Sequence, residues 1–147
     1  MNIRQLSVFI ENKTGKLSAV LGLLGENKID IRAMNIADTR DFGILRLIVN
    51  DTDKAAEVLK AGGYASTSSN VIALDVDDTP GGLAGALSVL DGNGISVEYM
   101  YASLSSAGSS AHIIIRVDDN EKASAALSAK GYKLLSDEDI RNICYTP

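Results

Sequence analysis

Asp77-Asp78-Thr79-Pro80-Gly81-Gly82-Leu83 stands between an apolar alternation, Ile72, Leu74 and Val76, and an apolar stripe, Leu83, Ala86, Leu87 and Leu90. The alternation has the period of a strand, and the stripe has the i, i+3, i+4, i+7 spacing of one helix face. The Pro-Gly-Gly turn therefore opens a helix directly out of a strand. The stretch has a twin. Glu11-Asn12-Lys13-Thr14-Gly15-Lys16-Leu17 lies 66 residues upstream, with Gly15 under Gly81 and Leu17 under Leu83. It follows Leu6, Val8 and Ile10 of a strand over 3–10 and precedes the stripe Leu17, Val20, Leu21 and Leu24.

The rest of each half repeats in the same order. Ile29 to Ala37 reads as a second strand, with Ile29, Ile31 and Ala33 on one face. Ile95, Val97 and Met100 fall on Ile29, Ile31 and Met34 at the offset of 66. A turn over Asp38 to Asp41 leads to a third strand, Phe42 to Val49, in which Leu45, Leu47 and Val49 alternate with Ile44, Arg46 and Ile48. Asn50-Asp51 caps a second helix, with Asp53 three residues after Asn50, and Gly62-Gly63 ends it. A short strand starts at Tyr64. From Val49 and Val117 onward the offset is 68, which places two extra residues in Ser103–Ser110, and Asp118 with Glu121 repeats the cap. A short helix over 137–143, capped by Ser136, has no counterpart in the first half. The pattern is β-α-β-β-α-β twice, over 1–69 and 70–147.

Composition narrows the function classes. The 147 residues carry a net charge of −5 and 46% hydrophobic residues. An acidic chain without a basic patch does not suit nucleic acid, and the middle strands lack the basic and aromatic residues that an RNA-binding sheet of this order requires. No secretory signal follows Arg4, and no apolar run approaches the roughly 18 residues of a membrane span. Cys144, the one cysteine, forms no internal disulfide and reads as an ordinary thiol. A cytoplasmic protein is expected.

Catalytic signatures are missing. His112, the one histidine, lies in the strand Ala111-His112-Ile113-Ile114-Ile115 and suits a structural role. There is no Gly-x-Ser-x-Gly, Gly-x-x-x-x-Gly-Lys or His-Glu-x-x-His. Gly81-Gly82-x-x-Gly85 lacks the dinucleotide spacing, and Asp137-Glu138-Asp139 reads as a helix-start charge cluster. No enzyme, cofactor or metal is expected.

The duplicated strand–loop–Gly-x-Leu helix start within β-α-β-β-α-β resembles the ACT domain, as two tandem copies over nearly the whole chain. Asp78-Thr79-Pro80-Gly81-Gly82-Leu83 matches that family's Asn/Asp-x-Pro-Gly-x-Leu pattern, while the first copy has Thr14 in place of the proline. The resemblance implies an α+β fold: two ferredoxin-like domains forming one continuous antiparallel sheet with helices on one face, plus the short C-terminal helix. It also implies regulatory binding of an amino acid or similar metabolite at the junction of paired domains. One site would combine Asn12, Gly15, Lys16 and Leu17 with the strand holding Val97, Glu98 and Met100. The other would combine Asp78, Pro80, Gly81, Gly82 and Leu83 with the strand holding Ile31 and Met34.

The chemistry of those residues fits such a ligand. Unpaired backbone N–H groups after Gly15 and Gly81 suit a carboxylate, and glycine permits close approach. Asp78 and Glu98 suit an ammonium, Asn12 donates or accepts, and Met34 and Met100 form adaptable walls. The same glycines also suit plain turns, Asn12 and Asp78 helix caps, and the methionines core packing. The third strands carry apolar residues on both faces, notably Ile44, Ile48 and Ile114 opposite the helix-covered side, which predicts a homodimer through the sheet face. The expected function is a non-catalytic regulator binding an amino acid and signalling to an enzyme or regulator. The alternative is a structural adaptor without a ligand.

Overall fold

The computed structural model describes residues 2–38, 41–103 and 110–142. Thr39 and Arg40 of the expected turn, 104–109 of the Ser103–Ser110 segment expected to hold the two extra residues, position 143 of the last helix, and Cys144 lie outside the described residues. Contacts divide the chain into two compact units: Arg4–Ser69, and a second from Asn70 onward that takes in the first residues as far as Ile3.

The first unit runs β1 (Ile3–Glu11), α1 (Lys16–Glu26), β2 (Ile31–Asp38), β3 (Phe42–Val49), α2 (Thr52–Ala61) and the opening of β4 (Ala65–Asp77). Its strands lie in the order β2-β3-β1-β4. Alternation sets the faces. Leu6, Val8 and Ile10 pair across or beside Leu47, Leu45 and Gly43, and all point to the side covered by the helices. Val20 and Leu24 from α1 and Ala55 and Leu59 from α2 close the core over them. Each large side chain buried this way contributes about 1.5–3 kcal/mol. The second unit repeats the plan: the latter part of β4, α3 (Gly82–Gly92), β5 (Val97–Ala102), β6 (Ser110–Val117), α4 (Asn120–Ala129) and β7 (Lys133–Leu135), followed by α5 (Asp137–Asn142). Its order is β7-β4-β6-β5. Ile72, Leu74, Ile115 and Val117 pack there against Ala86, Leu90, Ala123 and Leu127.

The structure corrects several expectations. Ala33 does not share a face with Ile31. Ile31 pairs with Val49 but Ala33 with Ile48, so Arg32 is an extra residue and β2 is bulged. The bulge turns Met34, rather than Ala33, toward the first core. The second copy does the same: Val97 pairs with Val117 and Tyr99 with Arg116, leaving Glu98 as the extra residue. The strand expected at Tyr64 and the one holding Ile72 are not separate, because β4 is a single strand of 13 residues.

The caps shift by one residue. Asp51, not Asn50, caps α2 by accepting from the Lys54 N–H at 3.1 Å, while Asn50 accepts from the Asp30 N–H at 2.9 Å. Likewise Asp119 caps α4 through the Lys122 N–H at 3.0 Å, and Asp118 takes the Ser96 N–H at 3.3 Å. Ser136 does cap α5. It exchanges reciprocal bonds with Asp139, at 2.8 and 3.1 Å, and Ile140 is buried one residue on. The Ser136 backbone N–H, then its hydroxyl, hold the Asp139 carboxyl below its usual range. Of the residues behind the expected second chain, Ile114 is fully buried and Ile48 is 2% exposed, while Ile44 is half-buried beside Phe9, which is 45% exposed.

Candidate functional site

Each Gly-x-Leu loop forms the start of a helix. Gly15 and Gly81 are the N-cap residues of α1 and α3, with φ of 87° and 83°, in the left-handed region that side chains avoid. Lys16 N–H donates to the Lys13 carbonyl at 3.2 Å, and Gly82 N–H donates to the Thr79 carbonyl at 3.0 Å. Neither helix receives a side-chain cap bond, so Asn12 and Asp78 do not act as caps, and neither first turn holds an acidic residue. The other helix pair is the opposite. α2 and α4 are capped by Asp51 and Asp119 and carry Asp53 and Glu121 in their first turns. Both copies thus leave the same helix start without a side-chain cap and cap the other.

Gly82 differs from Gly81 in its surroundings. A Cβ on Gly81 would meet open space, whereas one on Gly82 would lie 2.2 Å from the Asp77 carbonyl oxygen. Gly82 is therefore needed for the turn to close on the end of β4. The corresponding first-copy residue, Lys16, has a side chain, so the two loops are not interchangeable. Asp78, Pro80 and Gly81 are exposed, as are Asn12, Gly15 and Lys16, while Leu17 and Leu83 are half-buried against their own cores.

The second-strand residues separate into two groups. Ile31, Met34 and Val97 are partly buried and packed on the cores of their own units. Met100, opposite Ile115, is 37% exposed. Glu98 is engaged by Arg116 at 3.4 Å, and Arg116 also donates to the Asn70 carbonyl at 2.6 Å. An ammonium would have to compete with that guanidinium for the Glu98 carboxylate.

Two cavities at equivalent places in the repeat were not foreseen. In the first unit Phe9, Glu11, Lys16, Phe42 and Tyr64 line about 460 Å³. In the second unit Asp75, Asp77, Ser110, Lys130, Tyr132 and Lys133 line about 300 Å³. The only early signal was the repeat itself, because Gly63-Tyr64 aligns with Gly131-Tyr132.

His112 is buried on β6 with its Nε2 4.0 Å from an Asp75 carboxylate oxygen, and its buried Nδ1 has no hydrogen-bond partner among the described residues. No set of three or more metal-ligating side chains occurs among the described residues. Among them, too, no helix is long and apolar enough to cross a membrane.

Comparison with known proteins adds the following. A family profile described as "ACT domain pair" matches residues 1–144. Protein BT0572 from Bacteroides thetaiotaomicron is 37% identical, with a TM-score of 0.90 over 96% of each chain. The regulatory subunit of aspartate kinase from Thermus thermophilus, in its ligand-free form, is 18% identical, with a TM-score of 0.63 over 86% of this chain and 88% of that one. The corresponding subunit from Thermus flavus is 15% identical, with a TM-score of 0.60 over 86% and 90%. No curated protein matches the sequence.

Proposed function

Since the chain belongs to the family of ACT domain pairs, we propose that it is a regulatory protein that binds an amino acid and passes that state to a partner. The observation that carries this reading is the contrast between helices. α1 and α3 start on left-handed glycines without caps or acids, while α2 and α4 are capped and acidic. An amino-acid carboxylate is among the anions that an open helix start takes. The loop of the second copy is the stronger candidate. It keeps Asp78 beside Pro80 and Gly81, so a carboxylate-binding helix start and an ammonium-binding side chain lie together in sequence.

Solved structures of like fold include regulatory subunits of aspartate kinase. By that likeness the partner is proposed to be a separate enzyme or a regulator whose activity this chain sets. The mechanism is linkage: a ligand that favours one arrangement of the protein favours whatever the partner makes of that arrangement.

A thermal-shift screen of the common amino acids tests the reading. A ligand at a hundred times its Kd stabilises by about 2.7 kcal/mol, which for a chain of this size raises Tm by about 5–10 °C. The bound amino acid should also move the backbone amide signals of Leu83 and Ala84. The reading is refuted if no amino acid raises Tm and none moves those amides.

A further inference from the structure

The two equivalent cavities have kept their frame and changed their walls. In each, a glycine at φ 84°, Gly63 or Gly131, turns the chain out of a helix. The tyrosine that follows it anchors on that helix: Tyr64 N–H donates to the Leu59 carbonyl at 2.9 Å and Tyr132 N–H to the Leu127 carbonyl at 3.1 Å. Around that frame Phe9 and Phe42 of the first copy align with Asp75 and Ser110 of the second. Lys16 aligns with Gly82, and the lysines of the second cavity, Lys130 and Lys133, align with Gly62 and Ala65. One cavity is aromatic with a single lysine of its own. The other is ringed by charge.

We propose that the cavity of the first unit is a binding site for an aromatic monocarboxylate, distinct from the site at the Gly81 loop. Three observations point to this. Its volume of about 460 Å³ falls in the range of small-ligand pockets. Phe9 and Phe42, both on the cavity wall, are 45% and 55% exposed and bring two aromatic rings to it. The Lys16 ammonium beside them has no carboxylate partner among the described residues, because Glu11, the acid of the lining, lies 3.2 Å from the Lys13 ammonium. A ligand with one aromatic ring and one negative charge answers both features. A second charge on the ligand would find no counterpart, and a purely apolar one would leave Lys16 unanswered.

The site depends on the amino-acid reading only in sharing Lys16, and its test reads different signals. The full-length chain is titrated with 3-phenylpropionate, 3-phenylpropionamide and propionate, following the ring signals of Phe9, Phe42 and Tyr64 by NMR. The acid should shift all three rings saturably at millimolar concentration. The amide should bind about threefold more weakly, the scale of one exposed charge pair, and propionate should leave the rings unmoved. Lys16→Gln should erase the preference of acid over amide. Phe42→Ser, which installs the second copy's residue at an exposed position, should weaken the acid about tenfold. Ring signals that stay still, shifts confined to the Gly81 loop, or a Lys16→Gln protein that still prefers the acid would overturn the proposal. Failure of the amino-acid screen at the Leu83 and Ala84 amides would leave it standing.

Discussion

Alanine at Gly82 should damage the second unit more than alanine at Gly81, although Gly81 has the stranger backbone. At Gly82 the new Cβ would lie 2.2 Å from the Asp77 carbonyl oxygen. Carbon–oxygen contacts settle at about 3.3–3.6 Å, so the turn or the end of β4 has to move by about 1 Å. Overpacking of that kind costs about 1–3 kcal/mol. The Gly82 N–H bond to the Thr79 carbonyl, 3.0 Å long, lies in the displaced segment and adds about 1 kcal/mol if it breaks. Against this, alanine is preferred over glycine within a helix by about 1 kcal/mol. The net loss is about 2 kcal/mol, or a fall in Tm of about 4–8 °C. At Gly81 the space is open and only the φ of 83° resists. That strain of about 1–2 kcal/mol is partly offset by the stiffer unfolded chain, about 0.4–1 kcal/mol, leaving about 1 kcal/mol. Urea denaturation followed by far-UV circular dichroism gives both values. A Gly82→Ala protein with the wild-type midpoint and slope, or a Gly81→Ala protein that is the weaker of the two, would show that Gly82 does not close the turn against Asp77.

Two further outcomes follow from the caps. Asp51→Ala should cost about 1 kcal/mol and speed hydrogen exchange at the Lys54 amide, whereas Asn50→Ala should speed it at the Asp30 amide; the reverse assignment would contradict the shifted cap. The lowered Asp139 pKa stabilises the α5 cap fully above the ordinary carboxyl range, and that contribution is lost as pH falls through the lowered value. Exchange at the Ile140 amide should therefore rise in acid below about pH 4, and Asp139→Asn should flatten that rise. An unchanged acid response in the variant would remove Asp139 from the account.

What could be read from residues alone was whatever a period or a repeat made visible. Leu83, Ala86, Leu87 and Leu90 define a helix face on spacing alone, and the 66-residue offset from Gly15 to Gly81 defined the duplication. The bulges were hidden because Arg32 and Glu98 bear no mark of an extra residue; only the ladder partners Val49 and Ile48, or Val117 and Arg116, reveal the slip. The caps failed by one position because Asn50-Asp51 and Asp118-Asp119 offer two competent acceptors in a row, and backbone geometry chooses between them. The continuity of β4 was masked by Ser66-Thr67-Ser68-Ser69-Asn70, which reads as loop. Sheet pairing overrides such a weak local preference, and the buried Gln5 of β1 donates to the Ser69 hydroxyl at 3.4 Å. At the candidate site, the open helix starts were legible from Gly-x-Leu. The aromatic cavity was not, because Phe9, Phe42 and Tyr64 are far apart in sequence and converge only through the fold.

The paired bulges also bear on how relatives of this chain are read. A bulge is a change of phase: residues before Arg32 keep one parity of inside and outside, and residues after it keep the other. A relative lacking one residue at Arg32 or Glu98 would still count as aligned along most of its strand. Beyond that point it would also keep its faces, because without Arg32 a regular ladder still sets Ala33 opposite Ile48 and Met34 opposite Leu47. A single gap at these two positions therefore removes the bulge and spares the core, whereas a single gap elsewhere in either strand would exchange the inward and outward residues beyond it.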